Sequence, residues 1–219
     1  MNPYREHFHN ELSELKSLTE DLAHHVRTAL VNSITALGNS DADLAKDIIK
    51  KDQVIDDLCE NIEKLSLNLL ALQQPMAKDL RYIVGLLKIS IDLERIGDMA
   101  VDIARGNVQL KGLVQFTGFE YIPHMAEIAE DMLSQAMSAL DSDDVRLARS
   151  VAEMDSEIDE LYIESRDRVL LLMIEKPEIF DYGSSFLLID KYIERIGDHI
   201  CNICESIIYM VEAKREHLN

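Results

Sequence analysis

Two stretches decide how this chain reads: DLERIGDMAVDIA, Asp92–Ala104, and YIERIGDHICNIC, Tyr192–Cys204. The five residues ERIGD recur 100 positions apart in a chain of 219. A repeat of that span signals a duplicated structural unit. Further residues keep the correspondence. KKDQVIDDL at 50–58 aligns with EMDSEIDEL at 153–161, matching Asp52 to Asp155 and Asp56 to Asp159, and Pro75 matches Pro177. The offsets of 103, 102 and 100 differ only by small insertions.

Outward from the motifs, apolar residues recur at three- and four-residue spacing, the signature of amphipathic helices. Leu12, Leu15, Leu18, Leu22, Val26, Ala29, Leu30, Ile34 and Leu37 trace one stripe, which ends at Gly38. Asn39, Ser40 and Asp41 are N-cap candidates for a second helix, which Pro75 interrupts. A third runs from about Met76 to Leu110. GNVQLKGLVQFTGF follows, with three glycines in fourteen residues, and reads as the linker. The pattern then restarts: a helix over roughly 120–140, a DSDD cap, a helix from about 143 to 175, a break at Pro177, and a helix from about Tyr182 to the end. The expected fold is all-α, two tandem antiparallel three-helix bundles over 1–110 and 119–219, joined by a linker at 111–118.

Composition agrees and narrows the function. Apolar residues make up 47% of the chain, ample for a core, while Gly and Pro total only twelve, too few for a sheet protein rich in turns. The net charge of −19 opposes nucleic-acid binding, which rests on Lys and Arg, and fits an anionic membrane surface equally badly. No stretch resembles a signal peptide, and the longest wholly apolar run, VLLLMI at 169–174, is far short of a membrane span. The three cysteines, Cys59, Cys201 and Cys204, are an odd, sparse set that suits free thiols in a reducing compartment. The expectation is a cytoplasmic protein.

The chemistry lies in repeated carboxylates. Glu94, Asp98 and Asp102 stand at i, i+4 and i+8 on one helix face, about 6 Å apart along the axis. The second copy reads Glu194, Asp198 and Asn202, with Glu205 nearly back on that face. Folding the chain at its prolines makes further carboxylates level. Asp56 lies 19 residues before Pro75 and Glu94 19 after; Asp52 lies 23 before and Asp98 23 after. Asp159 and Asp155 fall 18 and 22 before Pro177, Glu194 and Asp198 17 and 21 after it. Such clusters are costly unless compensated. The compensation is either internal, from Arg95 and Arg195, or a bound hard cation such as magnesium, calcium, manganese or iron. The plainer reading of each pair is a solvated acidic face. Duplication together with level pairing favours a metal site.

Gly97 and Gly197 hold the same motif position, although a mid-helix glycine costs about 1 kcal/mol relative to alanine. The expected reason is close approach of a neighbour. Cys201 and Cys204 form one CxxC without a second pair and are expected to pack as small apolar residues; His199 reads as a surface histidine. Glu6 to His9 is the sole ExxH, whereas a di-iron carboxylate enzyme, the alternative reading, needs two on separate helices. A phosphate-cradling glycine loop and a nucleophile elbow are both missing.

At this point QQPMAKDLRYIVGLLKISIDLERIGDMAVDIA, 73–104, closely resembles the signature of the PhoU family of phosphate-transport accessory regulators, and ERIGDHICNI is similar to that family's second copy. The resemblance covers essentially the whole chain. It implies two three-helix bundles, usually a homodimer, and E/DxxxD metal motifs falling on Glu94, Asp98 and Asp102 and on Glu194 and Asp198. Iron, zinc, magnesium or manganese would be the ions. Asn202 departs from the acidic series and would leave the second site less charged. The implied role is regulatory, not enzymatic. Such a protein links the ATPase subunit of a phosphate ABC transporter to a sensor histidine kinase and keeps the phosphate-starvation regulon off when phosphate is plentiful.

Overall fold

The computed structural model describes residues 3–109 and 120–218, and the side chains of 6–107 and 120–218. The expected linker at 111–118 lies outside these residues. Seven α-helices follow one another: α1 Pro3–Asn39, α2 Ala42–Gln73, α3 Lys78–Gln109, α4 Tyr121–Ser142, α5 Val145–Glu153, α6 Asp155–Glu175 and α7 Phe180–Glu212. Among the described residues the protein is all-α.

The duplication reaches into the turns. Asp41 caps α2 by accepting from Asp43 N and Leu44 N at 3.1 and 2.9 Å. Asp144 caps α5 in the same way, from Arg146 N and Leu147 N at 2.9 and 3.1 Å. The residue before each cap, Ser40 or Asp143, takes a left-handed φ of 52° or 53° that ends the preceding helix. Satisfying the first amide donors with a carboxylate fixes where each helix begins. Asn107 on α3 braces the first of these turns, donating to the carbonyls of Ala36 and Asp41.

Three boundaries differ from expectation. The third helix begins at Lys78 and not Met76, because Pro75 and the left-handed Gln74 and Ala77 hold the turn open. The last helix starts early, at Phe180 after a 3-10 turn at Pro177–Ile179, and stops at Glu212. The helix expected over 143–175 is broken at Met154. No proline or glycine marks the break; the Met154 amide tightens back onto the carbonyl of Val151, 3.1 Å away.

Helices α1–α3 form one antiparallel unit and α4–α7 the other, yet they do not stand apart. Helix α3 packs on α7 as extensively as on α1. Leu86, Ile89, Leu93, Ile96 and Ile103 of α3 share one fully buried core with Ile193, Ile196, Ile200, Ile203 and Ile207 of α7. Gly85 permits this approach: a Cβ there would lie 2.2 Å from Met210 Sδ. Gly106 faces Ile189 in the same antiparallel register. That register brings the two ERIGD motifs level at the middle of the α3–α7 seam. Ion pairs Lys16–Asp141, 2.6 Å, and Arg27–Glu130, 2.7 Å, tie α1 to α4 across the halves.

Candidate metal centre

Each motif helix presents its carboxylates to the helix preceding it in its own half. In the first half Asp52 on α2 is partly buried, and its Oδ1 is enclosed without a hydrogen-bond partner. Burial first, then the charges of Asp56 and Asp98, and also of Asp102, raises its carboxyl above the ordinary range, while Arg105 opposes. Asp52 of α2 thus feels Asp98 across the hairpin and Asp56 along its own helix. Two arginines meet this cluster: Arg95 donates to Asp98 at 2.8 Å and Arg105 to Asp102 at 2.7 Å. Glu94 accepts from the Cys59 thiol at 3.3 Å; burial, and then Glu94 itself, pushes that thiol up to about 11.

The second half is built more tightly. Asp155, first residue of α6, is 3% exposed, and neither carboxylate oxygen has a hydrogen-bond partner. Burial, followed by the charges of Asp159 and Asp198 and, more weakly, Glu194, pushes it up to about 6; the Cys201 thiol offsets a little. Burial and Asp198 raise Asp159 as well. Asp155 lies directly over the second motif glycine, where a Cβ on Gly197 would fall 2.1 Å from its Oδ1. A Cβ on Gly97 would meet apolar side chains alone, the corresponding isoleucine, Ile55, at 3.1 Å and Val26 at 3.7 Å. Both glycines thus serve close approach, but only the second makes room for a carboxylate. Lys191 pairs with Glu194 and stands 5.3 Å from the centre of the Tyr162 ring.

Two residues of the expected set face elsewhere. Asn202 is exposed and donates to Asp92 across the α3–α7 seam at 3.3 Å. Glu205 accepts from the amide of Leu218 at 2.9 Å in the folded-back tail. His199 is not a surface histidine: it is 17% exposed and its Nδ1 lies 2.9 Å from Asp92 Oδ1. Position 92 precedes the motif and carries no periodic signal, so sequence alone gave no reason to single it out. Cys201 and Cys204 are buried as small apolar side chains, with thiols raised by burial.

Among the described residues no three His, Cys, Asp or Glu side chains are drawn together closely enough to hold an ion as they stand. The donor chemistry nevertheless fits a hard cation. Asp155 supplies two buried oxygens without partners, and Asp159, Glu194 and Asp198 surround it electrostatically. These four residues would hold an ion in the second half. Asp52, Asp56, Glu94, Asp98 and Asp102 would do so in the first.

The fold and site together define a class: a duplicated, fused helical bundle carrying a carboxylate cluster in each repeat, with no described helix long and apolar enough to cross a membrane. The PhoU domain matches the chain twice, over residues 19–106 and 122–207, and the chain belongs to the PhoU family. It is 35% identical over 98% of its length to a Clostridium acetobutylicum protein named phosphate-specific transport system accessory protein PhoU homolog, of which it covers 99%. A Streptococcus pneumoniae protein of the same name is 32% identical over 98% of the chain, with all of its own length covered. The crystal structure of PhoU from Pseudomonas aeruginosa superposes with a TM-score of 0.91 at 32% identity, covering 94% of this chain and all of that one.

Proposed function

We propose that this protein is a cytoplasmic regulator of phosphate uptake and a negative regulator of the phosphate-starvation response. In this reading it is a non-catalytic adaptor between the ATPase subunit of the phosphate ABC transporter and a sensor histidine kinase, working as a homodimer. The observation that carries the reading is similarity, through both repeats and nearly end to end, to proteins named as accessories of a phosphate-specific transport system. A net charge of −19 suits basic partner surfaces and disfavours nucleic acid. Metal binding belongs to the same reading and is supported by the buried, partnerless oxygens of Asp155. Bound ions would offset the crowding of carboxylates, whereas the ion's identity is open among iron, zinc, magnesium and manganese, because carboxylate oxygens discriminate hard cations poorly.

Deleting the gene tests the regulatory role. Alkaline phosphatase should become derepressed in phosphate-rich medium, and complementation in trans should restore repression. Continued repression in a strain lacking any second copy of the gene would sink the adaptor reading. Elemental analysis of untagged protein purified without chelators tests the metal. One or more equivalents per chain are expected, reduced in an Asp98→Asn, Asp198→Asn double variant.

A further inference from the structure

Glu194 and Glu94 are matched residues with different partners. Glu194 is paired by the ammonium of Lys191, one turn earlier on α7, whereas position 91 is isoleucine and Glu94 meets the Cys59 thiol. Lys191 sits at the mouth of the second cluster. It pairs with Glu194, its charge reaches both Asp159 and Asp198, and its ammonium stands 5.3 Å from the centre of the Tyr162 ring. Asp155 of the same cluster is 3% exposed, with neither carboxylate oxygen hydrogen-bonded by geometry. The cluster that contains the site's most deeply buried carboxylate thus also contains a glutamate that a built-in cation already engages.

We propose that Lys191 is an internal stand-in for the metal: a divalent cation entering the Asp155, Asp159, Glu194 and Asp198 cluster displaces the lysine ammonium from Glu194. This rests on the metal reading above and adds a regulation to it. In the second half, binding is an exchange of one cation for another at the glutamate; in the first half Glu94 has no such cation, and the built-in charges there, Arg95 and Arg105, engage Asp98 and Asp102 instead. A fixed positive charge within a few ångströms opposes a divalent ion, and carboxylates occupied by the ammonium must be released before they can ligate. Lys191 therefore sets the affinity of the second site and keeps it responsive to ion concentration. At 44% side-chain exposure, the lysine has room to swing into solvent once displaced.

The test is Mn2+ binding to the full-length chain, followed by calorimetry and by the paramagnetic signal of free Mn2+. Wild type, Lys191→Met, Asp155→Asn and Ile91→Lys are compared, with circular dichroism confirming that each variant is folded. Lys191→Met is expected to tighten the Asp155-dependent site about tenfold or more, and Asp155→Asn to abolish it. Ile91→Lys is expected to weaken the first-half site by a similar factor. If wild type binds Mn2+ at a site that needs Asp155 but Lys191→Met leaves its affinity unchanged, the exchange is wrong and the metal reading survives. If neither wild type nor Lys191→Met binds, both fall together.

Discussion

The two carboxylate clusters descend from one duplicated unit and have diverged in how they manage the same charges. The first is open: Asp52 is partly buried in an unbroken helix, and Arg95 and Arg105 lie across its acids. The second is closed: a tight turn at Met154 sets Asp155 onto Gly197, almost wholly out of water and with no nearby donor but the weak Cys201 thiol. A buried carboxylate left without partners costs free energy that the fold must find elsewhere, unless a ligand supplies the missing contacts. Both repeats carry cations of their own, Arg95 and Arg105 in one and Lys191 in the other, but only the second shuts a carboxylate away from water.

Substituting the motif glycines breaks this comparison most directly. Gly197→Ala forces a methyl into Asp155 Oδ1, so a loss of about 3 kcal/mol is expected in denaturant unfolding. Gly97→Ala meets Ile55 Cδ1 and Cγ2 at 3.1 and 3.2 Å, a milder crowding by apolar atoms that the gain in helix propensity offsets to within about 1 kcal/mol. Equal losses at the two glycines would show that the clusters are not packed differently.

Neutralising the acids acts in the opposite direction and by a smaller amount. Folding raises the Asp155 carboxyl from 3.8 to about 6, so its ionisation weakens the native state at neutral pH. Asp155→Asn is expected to stabilise metal-free protein at pH 7.5 by about 1–3 kcal/mol. Asp52→Asn should give under about 1 kcal/mol, because Asp52 keeps more contact with water. Were Asp155→Asn destabilising in chelator, its oxygens would have partners after all.

The same shift predicts a pH profile. The folded carboxyl binds its proton more tightly than the unfolded one, so this group's penalty grows as pH rises from about 4 through 6 and is complete above that. Asp190 adds to it: the residue is fully buried, accepts from Ser165 Oγ at 2.6 Å, and is also pushed up to about 6, chiefly by burial. Melting in chelator should therefore show stability from these groups falling between pH 4 and 6.5, with Asp155→Asn flattening the fall. A variant profile parallel to wild type would place the sensitivity elsewhere. The smallest effect belongs to Arg95→Gln, which removes an exposed i, i+3 ion pair and should change stability by less than about 0.5 kcal/mol.

Much of this was legible before any coordinates. Periodicity and caps located the helices because both are local: a stripe every three or four residues must face a core, and Asp41 and Asp144 satisfy amides two and three residues on. Counting from the prolines brings Asp52 level with Asp98 because a short turn leaves two antiparallel helices little freedom to slide past each other. The break at Met154 leaves no mark in the sequence, since a tightened turn needs neither proline nor glycine. His199 and Asn202 differ from expectation for another reason. Their common partner, Asp92, lies on the other repeat, and hairpin counting is blind to contacts across the α3–α7 seam.

By itself, then, the sequence determined the helices, their duplication and the set of acids that share a face, because these follow from spacing and short-range hydrogen bonding. Only the tertiary structure decided that the two bundles share one core through Gly85 and Met210, and which of two matched aspartates is shut away from water. Burial depends on what packs from outside the segment, and two nearly identical motifs can receive different neighbours. That difference leaves Asp155 almost wholly buried and Asp52 partly exposed, within reach of the charge of Arg105.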